Sequence, residues 1–142
     1  MNTLFVTAYT PGYIDLRIRW ESSLVARDLD FIAHPYASTG DWVRNGQIKP
    51  EVMLMAMVCH EVRRPLCWVD VDAEVVDRPS RLDGFVADKV DVAVHRLHGK
   101  VTLSGTAWVN CTPGGLWLLA QWQDECRRHP VRWDQHSLEA AL

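Results

Sequence analysis

The chain has 142 residues, 15 Lys and Arg against 18 Asp and Glu, a formal charge of −3 and 48% apolar residues, the profile of one water-soluble globular domain over residues 1–142. No second domain with its own core has room at this length. The weak negative charge, with only Arg63-Arg64 and Arg127-Arg128 as basic pairs, argues against nucleic acid as a partner.

Thr3 to Thr10 holds the apolar run Leu4, Phe5 and Val6 and breaks at Pro11-Gly12, so it reads as a first strand ending in a loop. From Asp15 to Asp28, Leu16, Trp20, Leu24 and Arg27 recur near helical spacing, with Ile18 and Val25 widening the face and Asp15 as the candidate N-cap. Leu29 to Tyr36 reads as a second strand, and Ser38-Thr39-Gly40-Asp41 as a loop. A second helix is expected to start at Pro50 and run through Val52, Met55, Ala56, Cys59 and Val62 until Pro65 stops it. Leu66-Cys67-Trp68-Val69 then has the continuous apolar character of a strand buried on both faces. Asp91 to Leu97 alternates apolar and polar residues, and Val101 to Val109 reads as another strand. Leu116 to Arg128 reads as a helix ended by Pro130, and His136 to Leu142 as a short final helix. This order predicts an α/β fold with a mostly parallel central sheet, helices on both faces, and ligands at the carboxyl ends of the strands.

The longest apolar run, Val52 to Cys59, is far short of the roughly 18 residues a membrane span needs, so no membrane span is expected. No basic region precedes Pro11-Gly12, so no secretory signal is expected either. Cys59, Cys67, Cys111 and Cys126 form no C-x-x-C pair, which fits reduced, mostly buried thiols and a cytoplasmic setting. The seven Trp are read as packing residues rather than ligand-stacking ones.

Two D-x-D triplets occur, Asp28-Leu29-Asp30 and Asp70-Val71-Asp72, and 12 Asp in 142 residues make about one expected by chance. Asp28 and Asp30 fall where a helix gives way to a strand and read as solvated turn residues. Asp70 and Asp72 follow a hydrophobic strand, where an open α/β sheet places its ligands. Two carboxylates one residue apart on an extended segment share a side, so a cation must offset their repulsion. Hard oxygen ligands suit Mg²⁺ or Mn²⁺ with the shell completed by diphosphate oxygens and water; the alternative is a structural loop with exposed acids. A phosphatase of the haloacid dehalogenase type also places Asp-x-Asp after an apolar strand. That motif needs Thr or Val two residues after the second Asp, where this chain has Glu74, and it follows the first strand rather than the third.

Cys67 to Val76 resembles the D-x-D segment of the nucleotide-diphospho-sugar transferases, the GT-A class of glycosyltransferases. Three further stretches agree in the family's order. Tyr9-Thr10-Pro11-Gly12-Tyr13 resembles the nucleotide-binding loop after the first strand, and Trp42 to Pro50 the Trp/Asn/Lys-Pro segment ahead of the D-x-D. Ser104 to Asn110, followed by Trp133-Asp134-Gln135, resembles the small-residue donor-site turn and the late Asp-Gln pair. The resemblance covers nearly the whole chain and implies a single Rossmann-like GT-A domain that uses a nucleotide-sugar donor with Mn²⁺ or Mg²⁺.

By that resemblance Asp72 is the principal metal ligand, Asp70 binds the ribose, the metal or both, and His136 is a candidate further ligand. Tyr9, Thr10, Tyr13, Trp42, Asn45, Lys49, Ser104, Gly105 and Thr106 fall to the donor, with Lys49 beside the diphosphate or sugar. Asp134 and Gln135 lie nearest the anomeric carbon, with Asp134 as base, electrostatic stabiliser or sugar ligand. The subgroup resembled is of the retaining type. His95 and His98 point to opposite faces of a strand and share no metal, and His34, His60 and His129 read as ordinary polar residues. Two other readings stand beside the enzyme: a catalytically silent sugar-nucleotide-binding module, and a nucleotidyltransferase, against which the chain has no Gly-rich phosphate loop after its first strand. The acceptor is not legible, and the short chain leads to the expectation that short loops, a homo-oligomeric copy or another protein recognises it.

Overall fold

A computed structural model describes residues 3–59 and 63–142, apart from the side chain of Cys59. The expected continuation of the second helix to Val62, His60, and the Cys59 thiol therefore lie outside the described residues. The element order is β1 (Leu4–Tyr9), a 3-10 turn (Pro11–Tyr13), α1 (Ile14–Val25), β2 (Phe31–Pro35), α2 (Trp42–Gly46), α3 (Lys49–Cys59), β3 (Leu66–Val69), α4 (Arg81–Ala87), β4 (Val92–Leu97), β5 (Val101–Val109), α5 (Pro113–Arg128) and α6 (Asp134–Ala141).

Five strands form one sheet in the order β2-β1-β3-β5-β4. β1 pairs in parallel with β2 and β3, whereas β5 runs antiparallel to both β3 and β4. The fold is α/β, as the alternation of elements predicts. Strand periodicity sorts the apolar residues onto two faces. Leu4, Val6, Leu66, Trp68, Ala107 and Val109 face α3, α5 and α6 together with Met53, Leu119, Trp122 and Leu138. Phe5, Cys67, Val69 and Trp108 face the other way with Trp20 and Leu24 of α1, while Leu82 and Phe85 of α4 pack against them. Covering on both faces explains why β3 reads as unbroken apolar residues. Cys67 and Cys126 are buried free thiols, and burial pushes them up to about 12 and about 11. Among the described residues no helix is long and apolar enough to cross a membrane.

Several boundaries differ from the sequence expectation. Asp15 does not cap α1: the 3-10 turn runs straight into the helix, Tyr13 takes the N-cap and Asp15 falls inside the first turn. α5 begins at Pro113, three residues before Leu116, because Thr112 caps it through a Gly115 N–H bond of 3.2 Å and Pro113 needs no N–H there. α6 begins at Asp134 rather than His136. α2 and α4 carry too few turns to leave a periodic signal. α2 owes its start to Asp41, whose Oδ1 accepts from the Val43 and Arg44 N–H groups at 2.9 and 3.3 Å.

Ser104-Gly105-Thr106 is not a turn between strands. Val94 pairs with Ala107 but His95 pairs with Leu103, so these three residues have no partner on β4 and form a bulge inside β5. An odd number of extra residues reverses the alternation. Thr102 and Ser104 thereby share the α6 and α3 side with Ala107 and Val109: Thr102 bonds to Glu139 of α6 and Ser104 meets Lys49 of α3.

Candidate functional site

The parallel strands end at one edge, and the loops that leave them enclose a cavity of about 350 Å³. Tyr9, Thr10 and Tyr13 line it from the end of β1, Asp70 and Asp72 from the end of β3, and Ser104 and Gly105 from the bulge. Trp42, Asn45 and Lys49 enter from α2 and α3, and Asp134 and Gln135 from the start of α6. Residues separated by more than 120 positions in sequence thus converge on one space.

Lys49 is the centre of the arrangement. Its side chain is 9% exposed, and its Nζ lies 2.8 Å from Asp70 Oδ1 and 2.9 Å from Asp134 Oδ2. It also donates to the Ser104 carbonyl and hydroxyl at 3.4 and 3.3 Å. Burial opposes its charge, but Asp134 and then Asp70 outweigh that cost, and the ammonium titrates above the ordinary 10.5. Trp68 Nε1 donates to Asp70 Oδ1 at 2.7 Å, and the indole of Trp122 donates to the Asp134 carbonyl at 3.0 Å. The first bond positions the Asp70 carboxylate, and the second holds the Asp134 backbone at the start of α6.

Two glycines make room for them. A Cβ on Gly105 would stand 3.1 Å from Asp70 Oδ2, and one on Gly46 would stand 3.2 Å from Asp134 Oδ1. The Asp70 N–H also donates to the Gly105 carbonyl at 2.9 Å, tying the D-x-D segment to the bulge. Tyr36 closes the wall, its phenol raised by burial and by Tyr13.

Some residues singled out by sequence stand elsewhere. Thr106 does not line the cavity; the bulge ends there, and the strand alternation turns its side chain to the α1 and α4 face of the sheet. His136 is exposed outside the cavity, its ring stacked 6.5 Å from that of Trp133. Asn45 lines the cavity, but its amide is tied into its own loop: Oδ1 accepts from the Thr39 N–H and hydroxyl, and Nδ2 donates to Ser38. Asp30 pairs with Arg64 at 2.6 Å on the surface, as a turn carboxylate does. Sequence reasoning missed Trp68, Gly46, Tyr36 and Trp133 as site residues. The signal for Trp68 was available, because a residue two before Asp70 on an extended chain points to the same side.

The cavity carries an excess of negative charge. One ammonium faces three carboxylates in the cavity, those of Asp70, Asp72 and Asp134, which leaves a formal charge of −2. Asp70 is held by Lys49 and Trp68, whereas Asp72 is exposed and has no hydrogen bond or ion pair to another described residue. Among the described residues no three His, Cys, Asp or Glu side chains gather as a metal cluster. Asp70 and Asp72 are the lining carboxylates that could hold a cation, but the chain turns between them, the Ala73 N–H donating to the Asp70 carbonyl at 3.0 Å, so they are not the same-side pair on an extended segment that the sequence predicts.

No protein-family model and no curated protein matches the sequence. The fold is similar to that of a glycosyltransferase involved in glycosylation of the major capsid of PBCV-1. The TM-score is 0.67 at 10% identity, over 98% of this chain and 75% of that one. It is similar as well to the glycosyltransferase GlyE of Streptococcus pneumoniae TIGR4, with a TM-score of 0.64 at 14% identity, over 96% of this chain and 42% of that one. The chain thus spans less than half of GlyE, and at these identities the likeness is one of fold.

Proposed function

We propose that the protein transfers a sugar from a nucleoside-diphosphate donor to an acceptor hydroxyl, aided by Mn²⁺ or Mg²⁺. The observation that carries this reading is the buried Lys49-Asp134 pair joined to the part-exposed Asp70, with free Asp72 in the same cavity, at the strand edge where an α/β sheet binds nucleotides. The fold likeness to two glycosyltransferases supports it. In the reaction the acceptor oxygen bonds to the anomeric carbon, and the bond from that carbon to the diphosphate breaks. The electron pair leaves with the nucleoside diphosphate, and the hydroxyl proton is released.

Each residue has a part in that exchange. Tyr9, Thr10 and Tyr13 seat the nucleoside, and Asp70 takes the ribose or shares the cation with Asp72. A bound divalent cation supplies charge neutralisation for the departing diphosphate in a site whose own groups sum to −2. Lys49 fixes Asp134 at the far side of the donor, where its carboxylate stabilises positive charge on the anomeric centre or orients sugar hydroxyls. Gln135 adds an amide to the same wall. Retention of anomeric configuration is part of the reading, and NMR of the first product formed decides it.

Thermal melts with UDP, GDP, CMP and TDP sugars, each with and without Mn²⁺, test the donor site. One nucleotide is expected to raise the melting temperature only when the metal is present, since ligand binding stabilises the native state by mass action. No shift with any of them counts against the reading. A silent binding module would show the shift with no transfer to any acceptor.

Gly105→Ala is expected to lower turnover about ten-fold by displacing Asp70 a few tenths of an ångström. Its stability should change by less than about 1 kcal/mol, because the bulge carries no β4 pairing to lose. Steady-state kinetics beside urea melts checks both.

A further inference from the structure

Most of the tryptophans pack as expected. Trp20, Trp68, Trp108 and Trp122 are at most 2% exposed. Three are exposed: Trp117 at 59%, outside the cavity, and Trp42 and Trp133 at 64% and 49%, which both line it. Their ring centroids lie 5.2 Å apart at 74°, so the two indoles form a corner with nearly perpendicular walls. His136 stacks against Trp133 at 28° and helps to hold that ring in place.

Some of the polar groups around the corner are unpaired. The indole N–H groups of Trp42 and Trp133 make no hydrogen bond to a described residue, and unlike the buried, unpaired N–H of Trp20 they belong to exposed rings. The Gln135 amide, two residues after Trp133 and lining the same cavity, has none either. Flat apolar surfaces kept open to water, with free donors at their rim, match a molecule that has an apolar C–H face and a hydroxyl edge. A pyranose ring is such a molecule. A nucleobase would also stack, but the nucleoside in the proposed donor site sits against Tyr9 and Tyr13 at the end of β1, while this corner abuts the carboxylate wall made by Asp134.

We infer that Trp42 and Trp133 form the acceptor subsite, binding a carbohydrate acceptor by stacking one pyranose ring beside Asp134 and Gln135. This rests on the glycosyl-transfer reading for the word acceptor, though not for the binding of a sugar. It moves Trp42 from the donor side, where the sequence resemblance places it, to the acceptor side. The acceptor is then a glycan or glycoside rather than an aliphatic or peptide hydroxyl.

Saturation-transfer NMR on the full chain with methyl β-galactoside, methyl α-glucoside, methyl α-mannoside and lactose tests the inference, beside calorimetry of UDP, GDP, CMP and TDP binding with Mn²⁺. At least one glycoside is expected to receive saturation on its ring C–H protons. Trp133→Ala should weaken that glycoside about ten-fold or more, and Trp133→Phe, which keeps a flat ring, should recover most of the loss. Nucleotide affinity in both variants should stay within about two-fold of the parent, which also reports that they are folded. No saturation of any of these glycosides by the parent protein overturns the inference. So does a Trp133→Ala variant that loses nucleotide and glycoside together, because the corner then belongs to the donor. A parent that binds glycosides through Trp133 but no nucleotide overturns the transfer reading while leaving the sugar-binding corner in place.

Discussion

Replacing Lys49 by methionine is expected to cost about 3–5 kcal/mol of stability at pH 7, the usual result of removing one partner from a buried ionic cluster. The ammonium lies within 2.9 Å of carboxylate oxygens of both Asp70 and Asp134, and Asp134 is 8% exposed. Without the lysine, two carboxylates face each other across a cavity with no other cation in its lining. Urea unfolding followed by fluorescence measures the loss, and two controls fix its cause. Adding Asp134→Asn to the variant should restore part of the stability, since the remaining carboxylate is then unopposed. Acid should shrink the deficit as the pH falls toward about 4, where carboxyl groups take up protons.

The parent protein should behave in the opposite range. The Lys49 ammonium titrates above 10.5 in the folded state, so its contribution is complete below 10.5 and is lost as the pH rises through that higher value. A Lys49→Met protein has no such contribution to lose. The two stability curves should therefore converge at high pH, and curves that stay parallel would show that packing rather than charge accounts for the difference.

Asp72→Ala should do the reverse: little to the fold, much to turnover. Asp72 is exposed and without a described partner, so its removal should change stability by less than about 0.5 kcal/mol. Metal-dependent release of the nucleoside diphosphate should fall about 100-fold, the scale of losing one stabiliser of charge developing in the transition state. Asp70→Asn, by contrast, disturbs Lys49 and Trp68 as well and should lower both turnover and stability. Full activity in Asp72→Ala, with unchanged response to Mn²⁺ and to a chelator, would remove the basis for the proposed donor site.

Much of the strand and helix pattern was legible because burial writes a period into sequence. β3 reads as Leu66-Cys67-Trp68-Val69 since both of its faces are covered, and α1 and α5 carry enough turns for their apolar stripes to repeat, although Ile18 and Val25, expected to widen the α1 face, stand exposed. Elements with little periodic content escaped. α2 and α4 are five and seven residues long, and local capping or a few aromatic contacts, such as Phe85 against Trp108 at 5.4 Å, hold them in place. The β5 bulge escaped for another reason: Ser-Gly-Thr suits a turn or a bulge equally, and only pairing with β4 separates them.

The site divides in the same way. Asp70-Val71-Asp72 is distinguished by its place after an apolar strand, whereas Lys49, Asp134 and Gln135 are nominated by the family resemblance of the stretches that hold them. That one buried ammonium joins Asp70 to Asp134 was decided by tertiary structure, because it depends on α3 and α6 packing on the same sheet face. Thr106 and His136 were nominated by the same resemblance and stand outside the cavity, since a bulge and a helix start decide where a side chain points. The pairing of Trp42 with Trp133, 91 positions apart in sequence, is likewise visible only once the chain is folded. Residue type determines which chemistry a position can offer; the folded packing, through distances of about 3 Å that no local pattern encodes, determines which of those positions act together.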